Sequence, residues 1–185
     1  MNLGGVVQSP VVNVWQDGVL AGDGGSVIGT VNVAEGGIVS PGASPGILTI
    51  DGDLNLATGA ILELEFGGTT PGEAYDVLNV TGNVDAAGMF DLVVSFIDGY
   101  VPEVGEIFDF LNVDGVLADD FFEMATVDVL GLGEGSLFSF VEGEGGFALR
   151  ADVVVNPVPL PPSALALMFG VGGLAAFGRR RRRAA

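Results

Sequence analysis

Apolar and polar residues alternate along most of the first 155 positions, which is the period of a half-buried strand. Leu48 and Ile50, then Leu54 and Leu56, alternate around Gly52. Across 61–66, Leu62, Leu64 and Phe66 fall on one face, Glu63 and Glu65 on the other. Phe90, Leu92, Val94 and Phe96 repeat the pattern. Phe147, Leu149, Ala151 and Val153 form the last such row, with Arg150 and Asp152 outward. Turn residues separate the rows: Asp51-Gly52, Gly67-Gly68, Thr81-Gly82-Asn83, Asp98-Gly99, Asp114-Gly115 and the glycine-rich stretch 143–146. No window before residue 156 sustains a helical period, and only 117–124 admits a single helical turn.

Short strands with Gly, Asn and Asp corners predict an all-β sandwich, barrel or solenoid. The first half favours the solenoid. Val19-Leu20-Ala21-Gly22, Val27-Ile28-Gly29, Val31-Asn32-Val33 and Ile38-Val39 are very short apolar steps between glycine or polar corners, as in stacked coils. The stretch Ser40-Pro41-Gly42-Ala43-Ser44-Pro45-Gly46, followed by Ile47-Leu48-Thr49-Ile50-Asp51-Gly52-Asp53-Leu54, resembles the stems of autotransporter-type passengers and related bacterial surface β-helices. Tyr75-Asp76-Val77-Leu78-Asn79-Val80-Thr81-Gly82 continues that resemblance, which covers roughly 19–115. It implies a right-handed parallel β-helix closed by antiparallel hairpins toward residue 155, with a β-sandwich of jelly-roll type as the rival.

Composition sharpens this picture by exclusion. The chain has 185 residues, 31 of them glycine, and no cysteine, histidine or lysine. Disulfides, thiol catalysis, Cys/His zinc sites, Ser-His-Asp triads and lysine Schiff bases are therefore ruled out. All 24 acidic residues lie at or before Asp152, against Arg150 alone, so the first 155 residues carry 23 net negative charges. Arg179, Arg180, Arg181, Arg182 and Arg183 bring the total to −18. A body so acidic repels nucleic acid and anionic headgroups, and no nucleic-acid partner is expected.

The last thirty residues differ in kind. The segment 156–162 holds four prolines and reads as an extended linker. Ser163 is placed as an N-cap, and 163–178 are otherwise apolar or glycine, about 24 Å of helix against a hydrocarbon core of ~30 Å. This predicts one short transmembrane helix, with 179–185 held in the cytoplasm by the arginines. The order of Val158, Pro159, Leu160, Pro161, Pro162 and Ser163, then an apolar run, then the arginine cluster, resembles the PEP-CTERM sorting tail of Gram-negative surface proteins. There the usual signature is V-P-E-P, and Leu160 replaces its acid. The resemblance implies recognition by an exosortase, passage through the inner membrane, and a final place in the outer envelope or outside the cell, in association with exopolysaccharide and biofilm. At the other end, MNLGGVVQSPVVNVW has no basic region, apolar run or A-x-A site. The expectation is either a truncated start or a tail-anchored protein.

Few residues promise chemistry. Asp51 with Asp53, and Glu63 with Glu65, stand two apart on a strand, roughly 6.5–7 Å, within reach of an inverting glycosidase pair. The plainer reading makes Glu63 and Glu65 a solvated strand face and Asp51 and Asp53 turn residues. A lyase would need a base to neutralise a uronate, and the body offers only Arg150. Calcium is the one cofactor considered, at acidic turns that include Asp51, Asp53, Asp119 and Asp120, though no EF-hand loop or nonapeptide repeat is present. Trp15 and Tyr100 are the aromatics that could stack on sugar rings, or else serve as core or rim. The expectation is a non-enzymatic, exported structural protein. The alternatives are an autotransporter-like adhesin or glycan-binding passenger and, behind it, a polysaccharide-active enzyme.

Overall fold

A computed structural model describes residues 1–42, 45–143 and 146–157. Strands form where the alternation predicts them. The first are β1 (Asn2–Leu3), β2 (Val6–Val14), β3 (Val19–Gly22), β4 (Gly25–Val33) and β5 (Ile38–Ser40). There follow β6 (Ile47–Asp51), β7 (Leu54–Leu56), β8 (Ile61–Phe66), β9 (Val77–Val80), β10 (Val84–Ala86) and β11 (Phe90–Phe96). β12 (Ile107–Val113), β13 (Ala125–Leu130), β14 (Leu137–Glu142) and β15 (Gly146–Val153) complete the set. The helical turn expected within 117–124 is a single 3-10 turn, Phe121–Met124.

The strands make two sheets. The six-stranded sheet runs β1-β3-β5-β8-β11-β13, all neighbours parallel. The nine-stranded sheet is built around β4. One edge of β4 pairs with β2, and the other takes β6 along its first half and β7 along its second. β9 then pairs with β6, and β10 with β7. This sheet therefore bends between two strand directions and curls. It ends with β12 parallel to β9 and then β15 and β14, both antiparallel.

The bend exists because glycine occupies it in each layer. A Cβ on Gly52 would lie 2.5 Å from the Gly29 carbonyl oxygen, and one on Gly82 would lie 2.6 Å from the Gly52 carbonyl. Gly115 stands in the same relation to Gly82. Backbone meets backbone at this corner, which any side chain would prevent. Hydrogen bonds then tie the layers: the Gly82 N–H donates to the Gly52 carbonyl at 3.0 Å, the Thr81 hydroxyl to Asp51 at 3.0 Å, and the Asn83 N–H to Asp53 at 2.8 Å.

The interior changes along the stack. Val14, Leu20, Val27, Val31 and Val33 fill its first layers, and every phenylalanine lies at or beyond Phe66. The loops lengthen in step. Partners in adjacent layers are 19, 23, 30 and then 33 residues apart. Longer loops enclose a wider interior, and aromatic rings fill it: Phe66 stands 4.9 Å from Phe108, and Phe122 stacks 4.1 Å from Phe140.

Asp76 is the fully buried charged side chain among the described residues. Its two oxygens accept the N–H groups of Gly46 and Glu65, each at 2.8 Å, joining the turn before β6 to β8. Burial dominates and pushes its carboxyl up to about 6, against the pull of those two donors.

Two expectations need correction. The all-β class holds, but a regular right-handed β-helix joined to a transmembrane helix does not describe this structure, nor does a jelly roll. The lengthening layers have no constant repeat and the larger sheet curls at its glycine corner, while the antiparallel closure expected toward residue 155 is present in β12, β15 and β14. Membrane partnership through a C-terminal helix is corrected with it: among the described residues, no helix is long and apolar enough to cross a membrane. Residues 158–185, which include the span placed at 163–178, lie outside the described residues.

Two outcomes test this account. Gly82→Ala should lower unfolding stability in urea by at least ~2 kcal/mol, while Gly5→Ala, with open space around it, should stay within about 0.5 kcal/mol of the parent. For Asp76, a folded-state pKa above the unfolded value means stability that is fully present below the unfolded pKa of about 3.8 and lost as pH rises through about 6. Urea melts from pH 4 to pH 7 should show Asp76→Asn losing up to ~3 kcal/mol of the parent's pH-dependent change.

Candidate functional site

The outer face of β2, β4, β7 and β10 carries three asparagines and an aspartate in column. Strand register sets Asn13 beside Asn32, Asn32 beside Asn55, and Asn55 beside Asp85. The Asn32 amide donates to Asn13 at 3.1 Å, and the Asn55 amide donates to Asn32 at 2.9 Å. Asparagine is a poor strand former in general. In register, each amide meets a copy of itself, and the ladder compensates.

A column of turns runs beside the ladder. Gly18 donates its N–H to the Trp15 carbonyl at 2.8 Å, Gly37 to Ala34 at 2.9 Å, and Ala60 to Ala57 at 3.0 Å. The turns stack through Asp17 N–H to Gly36, Gly36 N–H to Gly59 and Gly59 N–H to Met89, at 2.8–3.0 Å. Asp17, Gly36 and Gly59 all take positive φ, of 62°, 68° and 76°, which closes these tight turns. The first residues of these turns are Trp15, Ala34 and Ala57, and Ala87 follows β10 at the corresponding place in the next layer.

Together the columns make a groove of about 510 Å³. Its floor is the small side chains of Ala34, Ala57 and Ala87, one wall is the Asn13–Asn32–Asn55–Asp85 ladder, and Trp15 stands at its end, 68 % exposed. A second hollow of about 350 Å³, lined by Asn83, Val116 and Ala118 among others, shares Asn55 and Asp85 with it and extends the trough by one layer.

Of the residues singled out from sequence, Trp15 lines the trough and Asp53 lines the adjoining hollow, and the others that the structure describes fall elsewhere. Asp51 and Asp53 brace the glycine corner through Thr81 and Asn83. Asp119 and Asp120 are exposed in the turn that leads into Phe121–Met124. No group of three acidic side chains placed to hold a metal ion occurs among the described residues. Glu63 and Glu65 lie on β8 in the other sheet, registered with Val93 and Ser95. Tyr100 is separated from Trp15: it joins the Phe96 and Phe108 cluster and donates its hydroxyl to Glu106 at 2.6 Å. Burial, then that hydrogen bond, pushes its phenol pKa up. Val158, Pro159, Leu160, Pro161, Pro162 and Ser163, with the five arginines, lie outside the described residues.

Sequence reasoning missed Asn13, Asn32, Asn55 and Asp85. A signal existed: Val12-Asn13-Val14, Val31-Asn32-Val33, Leu54-Asn55-Leu56 and Val84-Asp85-Ala86 each lead directly into one of these turns. The intervals between them are unequal, so no fixed period exposes the repeat.

No family model matches this chain, and no solved structure matches it. It is 30 % identical over 115 residues to the adhesin BmaC autotransporter of Brucella suis biovar 1 (strain 1330). The match takes in 60 % of this chain and 3 % of that protein, so the chain spans a small fraction of the curated relative's length.

Proposed function

We propose that this chain is a segment of a surface adhesin, displayed on the outside of a Gram-negative bacterium, and that it acts by binding rather than by catalysis. The observation that carries this reading is the similarity over 115 residues to an autotransporter adhesin. The build of the molecule agrees with it. Stacked layers suit a protein that must present an extended, protease-resistant face. Its acids serve as corner braces or as a solvated surface, and the trough on its outer face is open to large ligands.

A finer reading concerns the tail. Val158, Pro159, Leu160, Pro161, Pro162 and Ser163, followed later by Arg179, Arg180, Arg181, Arg182 and Arg183, have the order of a PEP-CTERM sorting signal. Under it, an exosortase removes the tail during export and leaves the body in an exopolysaccharide matrix. That reading rests on residue order alone.

Antibody against the body should label intact cells of the native host, and an in-frame deletion of residues 6–157 should reduce adhesion to host or matrix surfaces. Labelling only after permeabilisation would sink the surface reading. Intact mass of the protein from the same cells tests the tail: a C-terminus near 158–163 supports processing, and a mass that includes Arg183 overturns it.

A further inference from the structure

We infer that the trough beside the asparagine ladder is a binding site for a neutral polysaccharide chain, which lies along the stack with a sugar ring against Trp15. The inference rests on the adhesin reading and assigns its ligand class.

The chemistry of the walls points to a polyhydroxylated, uncharged ligand. Each asparagine amide has two N–H groups, and the ladder uses one of them on Asn32 and on Asn55. A second N–H on each remains for a ligand oxygen. Asp85 ends the row with a carboxylate that can accept from paired hydroxyls. These groups recur at the strand spacing of about 4.8 Å, so the row from Asn13 to Asp85 covers ~14 Å. A ligand that repeats its hydroxyls along a chain meets the same donors and acceptors layer after layer.

The floor suits flat rings. Ala34, Ala57 and Ala87 hold the places that Trp15 holds in the first layer, and their short side chains leave the trough open. Trp15 then offers the one broad apolar surface, exposed and at the trough's end. A sugar ring has an apolar face of C–H groups that such an indole can cover. Few convergent polar groups over an otherwise apolar concavity is the usual make-up of a small-molecule site.

Charge selects among glycans. Asp85 lines the trough and Asp53 the hollow that extends it, in a body with 23 net negative charges. Arg150 bonds to Asp152 at 2.8 Å on β15, away from the trough. A uronate-rich or sulfated chain is repelled, and a neutral one is not. A peptide is disfavoured for another reason. In the trough's middle, β4 and β7 have their backbone groups engaged by neighbouring strands and offer nothing to strand addition; the open edge among its strands is that of β2, at the Trp15 end, which the peptide probe tests.

Trp15 is the single tryptophan of the chain, so its fluorescence reads the trough directly. The full chain should be titrated with hydroxyethyl cellulose, galactomannan and dextran as neutral probes, alginate as the anionic probe, and unfolded casein as the peptide probe. The expected result is a saturable change in emission with at least one neutral polysaccharide and none with alginate or casein. Affinity electrophoresis in the same polysaccharide should show Trp15→Ala and Asp85→Ala weakening retention at least about tenfold, while both keep the parent's circular dichroism and melting profile. Retention unchanged in both variants, no response to any neutral probe, or a preference for alginate or casein would each overturn the inference. The two readings part cleanly: adhesion that persists in cells carrying Trp15→Ala and Asp85→Ala together, despite lost polysaccharide retention, overturns the trough's role in adhesion and leaves the adhesin reading standing with another ligand.

Discussion

At the corner formed by Gly29, Gly52, Gly82 and Gly115, the backbone of one layer rests directly on the backbone of the next. This contact sets the register of everything beside it. Asp51 meets Thr81, and Asp53 meets Asn83, because the glycines between them allow the approach. Once that register is fixed, the strands on either side of the corner align like with like. Leu54 falls on Val31 and Val84 on Leu54 within the core, while Asn55 falls on Asn32 at the surface. A single-residue slip would reverse every side chain between core and solvent. The glycine column is therefore a specificity device as well as a permissive one.

The same stacking explains how so acidic a body holds together. Its core is apolar and continuous from Leu3 to Leu149, with Asp76 as the buried charge, fastened by two backbone donors. The remaining acids sit at corners, in turns or on outward strand positions, where water solvates them and inter-layer donors engage a few. The layers take up more chain toward the end of the described residues, and the filling changes from valine and leucine to phenylalanine as they do. The antiparallel pair β14 and β15 then lies against the last parallel strands, and Phe138, Phe140 and Phe147 pack onto the cluster below.

The proposed binding role draws on what the stack leaves on its outer face. Strands paired in register present their outward residues as a row, whatever the length of the loops between them. Here the row is amide, amide, amide and carboxylate, flanked by alanines and ended by an indole. Such a row matches ligands that are themselves repetitive. On the proposed binding role, the scaffold supplies spacing, and the side chains supply hydrogen bonds and one stacking surface.

Alternation by itself marked several of the strands and their buried faces. Leu62, Leu64 and Phe66, or Phe90, Leu92, Val94 and Phe96, could be assigned inward from two-residue periodicity, because that signal is local and each strand carries it whole. The absence of cysteine, histidine and lysine, and the concentration of acid, likewise belong to the sequence and excluded whole classes of chemistry. The curl of the larger sheet, the lengthening layers and the trough did not follow from it. Asn13, Asn32, Asn55 and Asp85 are separated by unequal stretches of chain, and nothing local marks them as neighbours. Trp15 read equally well as core, rim or platform until Gly18 and Asp17 were seen to turn it out over the first layer. Strand identity is a property of adjacent residues. Strand partnership is a property of loop length and close packing, and only the folded chain resolves it.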